Sequence, residues 1–379
     1  MKLLYCTHSL YNPGGMERVL LNKVTYLKQH TDWKIVIVTT DQKQRPVFYP
    51  LPEGVRMMDL GINYTDDNSL SVWKKISGYL RKKKLHQQRL SALLEQEKPD
   101  VLVSLYPSES SFYPLLKDGS KKVLELHYCK YFRIQYGRKG VLGVIDIFRT
   151  WQDEKLICKF DKFVVLTDKD KSYWGNIHNI QTIPNAVKRI NIEYSSLNKK
   201  RVIAVGRLDY QKGFDRLIEA WRIIQQADKF KNWKLDIFGQ GEWYDKLQQM
   251  ITEYGLKDTV CIHTPSNQIF EEYKQSSLIV MSSNYEGFGM VLVEAMSCGV
   301  PAVAFDCDCG PSDIIQPNVN GLLVKNGDIS GLAEAMMKVM GDEAMRKRMS
   351  EEAKKVTETY SEEKVMKQWI DLFEGLIKK

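Results

Sequence analysis

Apolar and polar positions alternate along this chain on two length scales. Short β-branched runs at residues 34–39, 100–104, 122–126 and 162–167 are separated by longer amphipathic stretches, and runs at 201–206, 234–239, 278–281 and 301–305 repeat the habit. The opening residues 1–7 read as a first strand of the same kind. Continuous apolar runs of strand length, separated by helix-length segments, are the signature of parallel strands covered on both faces. The pattern predicts an α/β protein in which this arrangement is built twice. A polar, turn-rich stretch from Pro184 to Lys200 separates the two series and is the expected hinge.

Composition agrees with two domains: 379 residues exceed one ordinary core, and 43% apolar content is that of a globular chain. No short-period repeat supports a solenoid or propeller. No window approaches the roughly twenty apolar residues that span a bilayer, and residues 1–7 are too short for a signal peptide, so a cytoplasmic protein is expected. Seven cysteines without a Cys-x-x-Cys pair fit reduced thiols. Cys307 and Cys309, one residue apart, suit neither a zinc site nor an unstrained bridge. The net charge of +8 is concentrated in part at Arg81-Lys82-Lys83-Lys84, which follows Trp73 and Tyr79 on one predicted helix. Two readings stay open there, a solvated helix face and attraction to an anionic membrane surface. Nucleic acid is not an expected partner, since no recognition motif accompanies the charge.

In doubly wound sheets ligands bind beyond the carboxyl ends of strands, so four loops deserve scrutiny. Asn12-Pro13-Gly14-Gly15-Met16-Glu17 follows the first strand and opens a helix near Met16, where bare backbone N–H groups favour an anion such as phosphate. A plain turn is the alternative. Arg207 and Lys212 fall in the loop after 201–206 and could converge on a pyrophosphate, one as a fork and one as a point charge, although cationic loops are common and usually idle. In the loop after 278–281, Gly287 and Gly289 free the backbone to turn, Glu286 precedes them and Glu294 lies in the next helix among core-facing neighbours. A carboxylate accepts two hydrogen bonds from a vicinal diol, which suits a sugar or a ribose, and a buried carboxylate seldom lacks a partner. His127 stands directly after the run 122–126; a lone histidine is more often a structural, hydrogen-bonded group, and a strand's carboxyl end raises the odds of function. Two other motifs point nowhere: Gly239-Gln240-Gly241 lacks the third glycine of a dinucleotide fingerprint, and Asp306-Cys307-Asp308 has the acid-x-acid spacing of metal-dependent sugar transferases but trails a late strand and reads as loop.

The early Gly-Gly loop, Ile183-Pro184-Asn185-Ala186-Val187, Gly206-Arg207 with Lys212-Gly213, Gly239-Gln240-Gly241, Glu286 and Glu294 as Glu-x7-Glu, and the segments 295–303 and 320–324 occur in a distinctive order. As a set they resemble the retaining glycosyltransferases of family four, which have the GT-B architecture. The resemblance implies two Rossmann-like domains facing across a cleft, 1–187 on the acceptor side and 188–361 binding the donor, with 362–379 a C-terminal helix crossing back to the first. It also implies roles. Arg207 and Lys212 would hold the donor diphosphate, with Gly14, Gly15 and Asn185 also at the donor. Glu294 would bind the ribose hydroxyls. Glu286 and the backbone of Phe288, Gly289, Met290 and Val291 would grip the sugar and phosphates, and His127 would contact the sugar near its reacting carbon. The base would lie near His263 to Ile269. No cofactor and no metal are implied. The segment 306–315 looks most like bacterial surface-glycan enzymes, which implies a UDP-linked hexose or N-acetylhexosamine, GDP-mannose next, and a glycan or polyprenyl-lipid-linked acceptor met at the inner face of the plasma membrane. The rival readings are a GT-B epimerase, a phosphorylase with lysine-bound pyridoxal phosphate, an inactive sugar-nucleotide-binding or scaffold subunit, and lastly an NAD oxidoreductase.

Overall fold

The structure, a computed structural model, describes residues 1–12, 14–69, 72–105, 111–135, 141–188 and 193–378. Pro13 of the Gly-Gly loop and the hinge residues Arg189 and Ile190 lie outside the described residues, as do the side chains of Trp73, Lys75 and Ile76. Among the described residues the first sheet is formed by β1 (Lys2–Thr7), β2 (Lys34–Thr39), β3 (Val55–Asp59), β4 (Val101–Ser104), β5 (Lys121–Glu125), β6 (Lys162–Val165) and β7 (Ile180–Thr182). They lie in the order β3-β2-β1-β4-β5-β6-β7. The second sheet contains β8 (Arg201–Val205), β9 (Lys234–Phe238), β10 (Val260–His263), β11 (Leu278–Met281), β12 (Ala302–Asp306) and β13 (Gly321–Lys325), ordered β10-β9-β8-β11-β12-β13. All pairings between these strands are parallel. Two doubly wound α/β domains result, as the apolar pattern predicts.

Helices form where apolar spacing and caps coincide. In Phe214–Ile224 the buried positions Phe214, Leu217, Ile218, Trp221 and Ile224 make one stripe against the second sheet. Asp328 and Asp342 start the two helices that follow β13, accepting from Gly331 N (2.9 Å) and Met345 N (2.8 Å). The last helix, Glu362–Ile377, is capped by Ser361 and does not pack on the sheet that precedes it. Its Val365, Met366, Trp369, Leu372, Phe373 and Leu376 join Leu3, Tyr5, Leu20 and Trp33 in the first-domain core. At roughly 1.5–3 kcal/mol per fully buried large apolar side chain, that face binds the chain terminus firmly to the first domain. The chain therefore passes between domains twice, and the passages touch: Val187 N donates to Tyr360 O (2.8 Å), and Val187 bridges Ser361.

Each sheet reverses its strand order once, between β1 and β4 and between β8 and β11. The crevice beyond the carboxyl ends at such a reversal is where doubly wound folds take ligands. The Gly14-Gly15 loop leaves β1, the Arg207–Lys212 loop leaves β8 and the Glu286 loop leaves β11, so three of the four loops singled out sit at these two points. Among the described residues no helix is long and apolar enough to cross a membrane.

Candidate active site

The second-domain half is two loops laced together. Asn284 N donates to Gln211 O (2.8 Å) and Gln211 Nε2 to Tyr285 O (3.3 Å), fixing the loop after β11 against the loop after β8. The Lys212 stem lies along Gly206, where an added Cβ would stand only 2.9 Å from Lys212 Cγ. Its Nζ meets Glu286 Oε1 at 2.7 Å, and Ser283 Oγ donates to the same oxygen at 2.6 Å. Arg207 is placed differently: its side chain is 65% exposed, 3.3 Å from Asp209 Oδ2 and bonded to Gln211 Oε1 (2.6 Å). In this state the two cations are directed to separate carboxylates rather than to one point. Gly289, at φ 95°, is the left-handed residue that starts the helix Met290–Ser297, so backbone N–H groups of 289–291 stand at a helix start. Phe288 beneath them is buried against Tyr360.

Glu294 is buried in that helix and doubly held. Tyr273 donates its hydroxyl to Oε2 (3.2 Å), and Arg18 of the first domain donates to Oε1. Burial raises the Glu294 carboxyl above its ordinary range, opposed chiefly by the Arg18 charge.

The first-domain half centres on the start of the helix Gly15–His30, capped by extended backbone at Gly14. Glu17 folds back over Gly14, where any Cβ would strike its carboxylate, so a protein carboxylate occupies the helix start at which an anion was expected. Burial raises the Glu17 carboxyl, with its own backbone N–H, His127, His8 and Arg207 drawing it back. His127 Nε2 lies 3.1 Å from Glu125 Oε1, and Lys23 bonds the same oxygen. Burial alone would push the Glu125 carboxyl up, yet Lys23 and His127 hold it down to about 2. Asn185 is buried and lines a narrow pocket with Asn22, Lys23 and Trp369 behind this group.

The halves touch. A Cβ on Gly287 would run into the carbonyl of His127, so only bare backbone allows the approach seen here. On one flank of this approach lies the 306–313 segment. Lys169 Nζ meets Asp306 Oδ1 (2.8 Å), Tyr173 donates to Asp308 Oδ1 (2.9 Å), and Asp313 Oδ1 accepts from Asp168 N (2.9 Å). Asp306 ends β12 and Cys307-Asp308 lead out of it, so the reading of all three as loop fails at Asp306; the segment clasps the first domain. All seven cysteines are free thiols, and Cys309 packs against Cys129 across this contact. Among the described residues the group with metal-like spacing is Asp236, Cys261 and His263, on β9 and β10. Asp236 there is already engaged by Arg201 Nε (2.5 Å) and His263 Nε2 (2.7 Å). His263 stacks on Phe238 (4.6 Å) at the head of the loop expected to meet the base. Glu17, Arg18, Tyr273 and Lys169 were not singled out from the sequence; Glu17 and Arg18 adjoin the Gly-Gly loop, and that position alone could have drawn attention to them.

Residues 188–356 match the family described as Glycosyl transferases group 1. The amylovoran biosynthesis glycosyltransferase AmsD of Erwinia amylovora is 33% identical over 223 residues, 56% of this chain and 62% of that protein, so the chain spans under two thirds of this relative's length. Among solved structures, sucrose-phosphate synthase from Thermosynechococcus elongatus superposes with a TM-score of 0.83 at 17% identity, covering 100% of this chain and 99% of the other. A mutant of TarM from Staphylococcus aureus, solved in complex with fondaparinux, α-GlcNAc-glycerol and UDP, gives a TM-score of 0.78 at 18% identity, covering 98% and 99%. At these identities the likeness is one of fold, and the fold is GT-B.

Proposed function

The chain carries a Glycosyl transferases group 1 domain, and from that premise we propose that it is a retaining glycosyltransferase. It moves a hexose or N-acetylhexosamine from a nucleotide-diphosphate sugar, UDP-linked, to a glycan or polyprenyl-lipid-linked acceptor, without a metal. One observation carries the reading: Gly287, next to the Lys212–Glu286 pair, meets the His127 backbone of the first domain, and Glu294 is bonded by Arg18 of the helix that Gly14-Gly15 opens, beyond the carboxyl ends of both sheets. TarM was solved with UDP and a GlcNAc-glycerol, which supports the choice of donor nucleotide and sugar.

The residues suit the steps. A diphosphate entering the crevice draws Lys212 from Glu286 and Arg207 from its contacts to Asp209 and Gln211. Exposed pairs of the Arg207 kind are worth about 0–1 kcal/mol, so Arg207 turns at little cost, while the largely buried Lys212 exchanges the Glu286 carboxylate for the phosphate charge. Glu286, released from Lys212 but still held by Ser283, accepts hydroxyls of the sugar. As the glycosidic bond breaks, charge grows on the diphosphate, and two fixed cations stabilise it without a metal. The leaving phosphate then takes the acceptor proton on the face it vacates, which retains configuration. Close approach of Gly287 to His127 excludes water that would hydrolyse the donor.

Arg207→Ala, Lys212→Ala and Glu294→Ala are each expected to lower transfer by about 10²-fold or more while circular dichroism stays that of the wild type. Wild-type turnover in all three variants contradicts the assignment.

A further inference from the structure

Glu294 is the residue given to the ribose, yet its orientation is set from the other domain. Its side chain is 5% exposed, and each oxygen already accepts one bond, Oε2 from Tyr273 (3.2 Å) and Oε1 from Arg18. A carboxylate offers about four acceptor sites, so one remains on each oxygen, both in the plane that the two donors fix. Two parallel acceptor sites are what a vicinal diol requires.

Charge balance points the same way. A buried carboxylate with only a phenol beside it tends to take up a proton, and a protonated carboxyl accepts from a diol less well. Tyr273 is neutral and deeply buried, with burial and Glu294 both raising its hydroxyl. The compensating charge is Arg18, one turn into the helix Gly15–His30 and a third exposed. The Glu294 charge raises the Arg18 guanidinium, which keeps it charged. Arg18 reaches Glu294 only when the domains stand together.

Resting on the donor-site reading above, we propose that Arg18 is a positioning residue for the donor nucleoside. From the first domain it orients and charge-balances Glu294, so that recognition of the ribose hydroxyls and closure of the domains are one event. By linkage the coupling runs both ways: ribose binding favours closure by the factor that closure favours ribose binding. Arg18 itself touches neither sugar nor phosphate.

The test is calorimetric titration with UDP, GDP and their 2′-deoxy forms against wild type, Arg18→Met, Arg18→Lys, Glu294→Gln and the Arg18→Met, Glu294→Gln double variant. The wild type should prefer ribose over deoxyribose by about tenfold or more, because the unmade hydrogen bond leaves a buried acceptor unpaired. Arg18→Met should weaken nucleotide binding about tenfold and reduce that preference to about threefold or less, with Arg18→Lys recovering part of both. In the Glu294→Gln background the Arg18→Met change should cost less than about threefold. Equal losses in both backgrounds put Arg18 on the ligand itself and overturn the proposal, as do unchanged affinity and unchanged ribose preference in Arg18→Met. A wild type that binds neither nucleotide overturns the donor reading beneath it. If Arg18→Met does not fold, Arg18→Lys carries the same comparison, since a single ammonium lacks the fork that fixes the carboxylate plane.

Discussion

Lys23, Glu125 and His127 form a buried polar group under the first-domain wall of the crevice, with the Lys23 ammonium 3.5 Å above the Trp369 ring. Glu125 Oε1 stands 3.1 Å from His127 Nε2, so a carboxylate that Lys23 keeps ionised lies beside the histidine. Lys23→Met leaves that carboxylate buried without its main partner, and a loss of about 3–5 kcal/mol in urea denaturation is expected. A pH dependence follows from the same group. Its folded value, about 2, lies below the ordinary 4.5, so its stabilising contribution is complete above about pH 4.5 and is lost as pH falls toward 2. In Lys23→Met burial of the carboxylate is no longer offset, so this acid-linked loss of stability should shrink or reverse, and an unchanged pH dependence of stability below pH 4.5 contradicts the account. Such groups mark the limit of what the sequence reveals. Glu286, His127, Arg207 and Lys212 are legible because each follows an apolar run at a strand's carboxyl end. Arg18 and Glu294 are 276 positions apart, and nothing local in either segment announces their bond.

The same division holds for elements. The strands legible as apolar runs form the interiors of both sheets, while β3, β7, β10 and β13 are the four edges. Their burial alternates or fades, as in β3 and β7, because one side of an edge strand meets solvent and needs no continuous apolar run. The basic helix is also more structural than its composition suggests. Lys82 is buried, its Nζ bonded to Asn63 O (2.6 Å) and Asp67 (2.9 Å), while Arg81 and Lys84 remain exposed. A stronger candidate for a membrane face is the helix Val141–Ile157. Val144, Ile147, Phe148 and Trp151 are exposed at i, i+3, i+4 and i+7, with Lys155 over the Trp151 ring (3.8 Å) and Arg149 exposed beside them. An apolar stripe flanked by cations is the pattern of a helix that lies on an anionic bilayer surface. Co-sedimentation with phosphatidylglycerol vesicles is expected for the wild type and to fall about tenfold for Phe148→Glu with Trp151→Glu. Equal binding by the double variant contradicts this role for the helix.

At the scale of the whole molecule, the two domains meet through charged and polar contacts set around the crevice, together with a small apolar contact in which Cys129 packs on Tyr285 and Cys309. Arg18 with Glu294, Lys169 with Asp306, Tyr173 with Asp308 and the Asp313 cap on Asp168 can each exchange for water when the domains part. The permanent connections are the paired crossings at Val187 and Ser361, a hinge position at the edge of both cores. A crevice closed by replaceable bonds and hinged by two adjacent strands of chain suits a reaction that must admit a donor, shut out water and release a nucleotide. The most direct test is donor turnover without an acceptor: incubate the protein with UDP-glucose, UDP-galactose, UDP-N-acetylglucosamine and GDP-mannose, and measure the nucleoside diphosphate released. Slow release of UDP from at least one UDP-sugar is expected, insensitive to a metal chelator and lowered about 10²-fold or more in Lys212→Ala. Release from no donor, or equal release by the Lys212→Ala variant, would contradict the central claim.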